Sequence, residues 1–116
     1  MKDIEHHIQC TCVRWFRLKY PRLAKRLIAI PNGGARDLIT GARLKEEGVV
    51  AGVADLALLI PRNGYGALFV EMKTDKGKQS ESQKEWAAQL GNDYLYIVCR
   101  SLDQFIKIVT EYLNEK

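Results

Sequence analysis

Apolar positions along this chain change their spacing several times, and each change marks an element. From residue 3 to 20 they recur at helical intervals, with Ile4, Ile8, Trp15 and Leu18 on one face and Pro21 ending the run. Glu5, Gln9, Cys12 and Phe16 form the neighbouring stripe, so Glu5 sits beside the face read as buried rather than opposite it. Leu27-Ile28-Ala29-Ile30 reads as a short buried strand and Pro31-Asn32-Gly33-Gly34 as a loop. Residues from about Leu38 to Glu47 predict a second helix, with Gly48 as its C-cap.

Two apolar runs follow, Gly52 to Ile60 and Ala67 to Lys73, on either side of Asn63-Gly64. Both of those residues tolerate positive φ, which signals a hairpin. The Pro61 to Gly66 loop is long for a two-residue turn, so the turn type stays open. Strand side chains alternate, which puts Glu71 and Lys73 on one face and Met72 on the other. Thr74 to Gln79 is polar and basic and reads as an exposed loop. Ser80-Glu81-Ser82-Gln83 and Ser82-Gln83-Lys84-Glu85 both have capping-box spacing, so a helix starts at one of them and runs to about Leu90, before Gly91. Its inner face would be Gln83, Trp86, Ala87 and Leu90, and an amide on that face needs a polar partner inside. Tyr94 to Cys99 predicts another strand, and Ser101 caps a last helix with Leu102, Phe105, Ile106, Val109 and Leu113 facing inward. This order predicts an α/β fold with a mixed sheet flanked by helices.

At 116 residues the chain is expected to form one domain, 1–116. The net charge of +4 and pI of about 9.0 favour polyanionic partners, and the excess gathers early, from Arg14 to Arg26. Cys10, Cys12 and Cys99 form an odd set without a CxxC pair, so neither a zinc site nor a disulfide framework is indicated. A polar N-terminus and the lack of a long apolar run predict neither a secretory signal nor a membrane span, and a reduced, cytoplasmic compartment.

The chemistry concentrates where the two apolar runs meet. Asp55 and Glu71 on adjacent strands can hold a hard divalent cation such as Mg²⁺. Such an ion activates a water and binds a phosphate oxygen. Lys73, on the Glu71 face, can orient the water or stabilise charge developing on the phosphate. Glu5 and Gln83 lie on inward-facing positions of helices that could pack on this sheet.

Asp55 followed by Glu71-Met72-Lys73 resembles the PD-(D/E)XK nuclease motif, and the finer resemblance is to the VRR-NUC family, the virus-type replication-repair nucleases. The matching pieces are Glu5 with Gln9, Pro31-Asn32-Gly33-Gly34 with Arg36, and Ala42-Arg43-Leu44-Lys45-Glu46-Glu47-Gly48. They continue through Ala51-Gly52-Val53-Ala54-Asp55, Glu71-Met72-Lys73-Thr74, Ser82-Gln83 with Trp86, and Val98 with Arg100. This covers nearly the whole chain in family order. Two positions depart from the pattern: Ala54 replaces the usual proline before the acidic residue, and a Val-Arg-Arg run appears as Val98-Cys99-Arg100.

The resemblance implies a restriction-endonuclease-like αβββαβ core that hydrolyses phosphodiesters with Mg²⁺ or Mn²⁺. It implies Glu5, Asp55, Glu71 and the Met72 backbone carbonyl as metal ligands, Lys73 as the catalytic lysine and Gln83 as an assistant in the site. Small stand-alone viral and bacterial members of the family resemble homodimers that cut branched DNA, notably four-way (Holliday) junctions. Larger members carry the domain at the end of a longer chain and cut flaps. A bacterial or virus-infected cytoplasm is the implied setting, with replication or repair as the process. Asn32, Gly33, Arg36, Arg43, Lys76 and Lys78 are candidates for phosphate contacts.

Plainer readings stand beside these. Asp55 could simply start a strand, and Glu71 with Lys73 could form an exposed cross-strand ion pair. Glu5 could favour only the helix dipole, and Gln83 could be only the capping partner of Ser80. His6 and His7 point about 100° apart on a helix and read as solvated. Trp15, Phe16 and Trp86 read as core, and the cysteines as small buried or half-buried residues. The rival function is a catalytically silent module of the same fold that grips DNA without cutting it.

Overall fold

The computed structural model describes residues 2–31 and 38–114. The first helix, α1, spans Lys2–Lys19 and is followed by a 3₁₀ helix at Pro21–Arg26. Strand β1 is Leu27–Ala29, helix α2 is Leu38–Glu46, and strands β2 and β3 are Leu56–Leu58 and Leu68–Met72. Helix α3 (Glu81–Leu90), strand β4 (Leu95–Cys99) and helix α4 (Leu102–Leu113) complete the order. The four strands form one sheet in the order β1-β2-β3-β4. The first two pairings are antiparallel and the third, β3 with β4, is parallel. A parallel pair needs a crossover, and α3 supplies it.

The hairpin turn resolves the open question at Asn63-Gly64. Arg62 and Tyr65 exchange both backbone hydrogen bonds, at 3.1 and 2.8 Å. Asn63 and Gly64 both have positive φ, 54° and 85°, the signature of a two-residue type I′ turn. Asn63 also donates its side-chain amide to the Tyr112 carbonyl at 2.9 Å, and the Tyr112 hydroxyl donates to the Ile60 carbonyl at 2.7 Å. The hairpin tip is thereby tied to the end of α4.

Alternation along β3 divides the molecule into layers. Val70 and Met72 point into a core with Leu56, Leu58, Cys12, Phe16, Phe105 and Val109, and α1 and α4 cover that face. Full burial of an aromatic or aliphatic side chain of this size contributes roughly 1.5–3 kcal/mol, so this layer carries the fold. Phe69 and Glu71 face the other way, toward α3, where Trp86 meets the Phe69 ring edge-on at 5.2 Å.

Three expectations need correction. On α1 the buried stripe is Cys12 and Phe16, flanked by Ile8, Val13 and Trp15, whereas Ile4 is 54% and Leu18 78% exposed. The stripe through position 5 is the one that faces the sheet; the ends of the other face overrun it. The first strand is an edge strand with one buried residue, Leu27, while Ile28 and Ala29 are exposed. Helix α2 ends at Glu46, one residue before the expected boundary, in a Schellman-type close. There Gly48, at φ 107°, donates to the Lys45 carbonyl and Val49 to that of Leu44.

Candidate active site

Register brings the two acidic residues together. Leu56 pairs with Val70, so one more step along the antiparallel ladder sets Asp55 opposite Glu71. Asp55 lies just ahead of β2, and its backbone carbonyl accepts from the Ile30 N–H at 2.8 Å. Its Oδ2 accepts from the Met72 N–H at 2.7 Å. The aspartate therefore bridges β1 and the far end of β3, which a mere strand-start residue would not need to do.

Glu71 is the sole buried charged residue type among the described side chains, at 2% exposure. Its Oε2 accepts from Gln83 Nε2 at 2.9 Å and its Oε1 from the Tyr96 hydroxyl at 3.3 Å. Tyr96 in turn accepts from Gln79 Nε2 at 3.0 Å. Burial, then the negative charge of Asp55 and a hydrogen bond shared with it, push the Glu71 carboxyl up to about 8; Lys73 and Tyr96 pull the other way. Burial is also the main cause that raises the Tyr96 phenol to about 12, so it faces Glu71 as a donor.

Gln83 makes two sets of contacts with one side chain. Its Oε1 accepts from the Ser80 N–H at 2.8 Å while the Ser80 hydroxyl accepts from the Gln83 N–H at 3.2 Å, closing a capping box. The amide nitrogen at the other end of the same group reaches Glu71. The partner that an inward-facing glutamine requires is thus the buried carboxylate. Gly52 sets how closely α3 approaches: at φ 88° its bare Cα lies against the first turn, where a Cβ would collide with the Ser82 carbonyl and stand 2.9 Å from the Gln83 nitrogen.

Lys73 is half-buried just beyond β3, its N–H donated to the Cys99 carbonyl at 2.9 Å. Glu5 is half-buried on the first turns of α1. Among the described residues no three His, Cys, Asp or Glu side chains stand close enough to hold one metal ion, so Glu5 does not join Asp55 and Glu71 in a three-carboxylate cluster here. Arg43, Lys76 and Lys78 are exposed; Asn32, Gly33, Gly34 and Arg36 lie outside the described residues. The arginines and lysines from Arg14 to Arg26 are exposed, as are His6 and His7. Cys12 and Cys99 are both buried, and a hydrogen bond to the Cys99 sulfur, with burial, raises the Cys12 thiol above its usual range.

Two contributors escaped the sequence reading. Tyr96 falls on the α3 face of β4 by alternation, but only the parallel pairing of β3 with β4 aims it at Glu71. Arg100 was visible as part of a motif, without a role; its guanidinium meets the loop after Lys73.

Comparison with known proteins agrees with this geometry. The family model for the VRR-NUC domain matches residues 3–103. A solved structure, a VRR_NUC domain protein, superposes with a TM-score of 0.82 at 24% identity, covering 94% of this chain and 87% of the other. No curated protein sequence matches. Among the described residues no helix is long and apolar enough to cross a membrane. The family model's match over most of its length, on a restriction-endonuclease-like core, means that this chain belongs to the VRR-NUC family of nuclease domains.

Proposed function

We propose that residues 1–116 form a single nuclease domain that hydrolyses phosphodiesters in branched DNA with Mg²⁺ or Mn²⁺, four-way junctions foremost, as a homodimer. The observation that carries this reading is the buried Glu71 carboxylate set opposite the half-buried Asp55, where burial first and the Asp55 charge second push the Glu71 carboxyl up to about 8. Burying like charges side by side is unfavourable unless a proton or a cation is shared between them. The donor set suits a hard cation: the Asp55 and Glu71 carboxylates, with the Met72 carbonyl and, although it does not cluster with them in this structure, Glu5 as further oxygen ligands implied by the family resemblance. Bound there, the ion would supply Lewis acidity to a phosphate oxygen and to the attacking water.

The protein's own groups do the rest. Gln83 and Tyr96 hold one oxygen each of Glu71, which fixes the plane of the carboxylate. Asp55 is fixed by the Met72 N–H. Lys73 orients the water and stabilises charge that grows on the phosphate, a role in which removal of one preorganised donor typically costs about 10²–10³ in rate. Arg43, Lys76 and Lys78, all exposed, take flanking phosphates, and Asn32, Gly33 and Arg36 are further candidates for such contacts. A two-fold dimer would present two equal sites, as symmetric cutting of a junction requires.

Cleavage of a labelled four-way junction beside a linear duplex of matching sequence tests this. Mg²⁺ and Mn²⁺ are supplied separately, with EDTA and Lys73→Ala as controls. Paired, metal-dependent cuts in the junction alone, lost in Lys73→Ala, are expected. Cutting of both substrates would remove the junction preference. Tight, salt-sensitive binding without any cut would leave a DNA-gripping module in place of an enzyme.

A further inference from the structure

The turn that leaves β3 is held by one side chain. Arg100 Nη1 donates to the Thr74 carbonyl at 2.7 Å, the Gly77 carbonyl at 2.7 Å and the Asp75 carbonyl at 3.2 Å. The turn also closes on itself, with the Gly77 N–H donated to the Thr74 carbonyl at 3.1 Å. Charge-assisted hydrogen bonds of this kind are stronger than those between neutral partners. A guanidinium engaged with backbone carbonyls in this way is turned toward the protein rather than toward a phosphate.

The turn lies along the Lys73 side chain. A Cβ on Gly77 would stand 3.5 Å from Lys73 Cδ and 3.1 Å from Thr74 Oγ1. One residue before Arg100, the Cys99 carbonyl takes the Lys73 N–H at 2.9 Å. The end of β4 thus grips Lys73 twice, its main chain through Cys99 and the wall beside its stem through Arg100. A lysine on a flexible four-carbon stem otherwise has wide rotamer freedom, and that freedom is costly where an ammonium must meet a developing charge.

We propose that Arg100 is a positioning residue for Lys73: by clamping the Thr74–Gly77 turn it fixes where the ammonium stands. Its consequence for cleavage rests on the nuclease reading; the placement of Lys73 does not. The test therefore has two readouts. Arg100→Ala and Arg100→Gln are compared with wild type for the rate of reductive methylation of Lys73, read by mass spectrometry against Lys107 on α4 in the same digest. Cleavage is followed at saturating DNA, and DNA binding in EDTA.

In Arg100→Ala, Lys73 should label about threefold faster or more while Lys107 is unmoved, the mark of a local rather than global loosening. The kcat should fall about tenfold or more with DNA binding within about threefold, a loss confined to the transition state. Arg100→Gln should move both in the same direction by less; it decides the matter if the alanine variant fails to fold. Unchanged Lys73 labelling in a folded variant overturns the proposal. A wild type that cuts nothing, while Arg100→Ala still frees Lys73, overturns the nuclease reading and keeps the clamp. A wild type that cuts, with labelling and kcat unmoved in both variants, does the reverse.

Discussion

Helices α3 and α4 begin with the same device and use it differently. Each has a serine N-cap and a glutamine three residues on, Ser80 with Gln83 and Ser101 with Gln104, and in each the serine oxygen accepts the glutamine N–H, at 3.2 and 3.1 Å. In α4 the Gln104 side chain is exposed and accepts from the Arg100 N–H at 2.7 Å. In α3 the Gln83 side chain is half-buried, caps Ser80 with its oxygen and grips Glu71 with its nitrogen. A capping motif satisfies orphan backbone groups wherever it occurs. It becomes part of a site only when packing turns its second polar atom toward a group that needs one. Here the packing is set by Gly52, whose missing side chain lets α3 sit over the end of β3.

The largest way to break the contrast is Gly52→Ala. Its Cβ would meet backbone rather than a flexible side-chain end, and its φ of 88° disfavours any L side chain. Such a change should cost about 2 kcal/mol or more in denaturant unfolding and remove cleavage, because α3 must shift off Glu71. Gln83→Glu is more selective. It keeps an acceptor for Ser80 but sets a third carboxylate beside Glu71 and Asp55, so cleavage should fall about tenfold or more, while the same change at Gln104 leaves cleavage within about twofold.

The raised Glu71 carboxyl gives a pH signature that α4 lacks. Its folded value of about 8 lies above the ordinary 4.5, so the folded chain holds that proton more tightly than the unfolded chain. Without metal, the contribution of this group to stability is therefore fully present below about pH 4.5 and is lost as pH rises through about 8, seen as a falling melting temperature across that window. Glu71→Gln should flatten that decline. Added Mg²⁺ or Mn²⁺ at pH 8 should raise the wild-type melting temperature and leave Glu71→Gln unmoved. The smallest effect is Gln104→Ala, about 0.5–1 kcal/mol of stability with cleavage unchanged, the ordinary cost of one exposed cap contact.

Legibility divides along the same line. The order of elements, the Asn63-Gly64 turn, the Gly48 and Gly91 stops and the Ser101 cap were readable, because each rests on residues a few positions apart, whereas Ser80 and Ser82 stood as alternative caps for α3 until the fold chose Ser80. Asp55, Glu71 and Lys73 stand out as candidates in the sequence because strand alternation sets Glu71 and Lys73 on one face and the family spacing adds Asp55. What only the tertiary structure decided joins residues far apart in the chain: Gln83 to Glu71 across 12 positions, Tyr96 to Glu71 across 25 and Arg100 to Thr74 across 26. The choice of buried stripe on α1 belongs here too, since Ile4 and Leu18 fit a helical face as well as Cys12 and Phe16 do. Local hydrogen bonds depend on neighbours that the sequence states outright. Which face meets the sheet, and which polar atom finds a buried carboxylate, depends on register and crossover, and those exist only once β3 and β4 lie side by side.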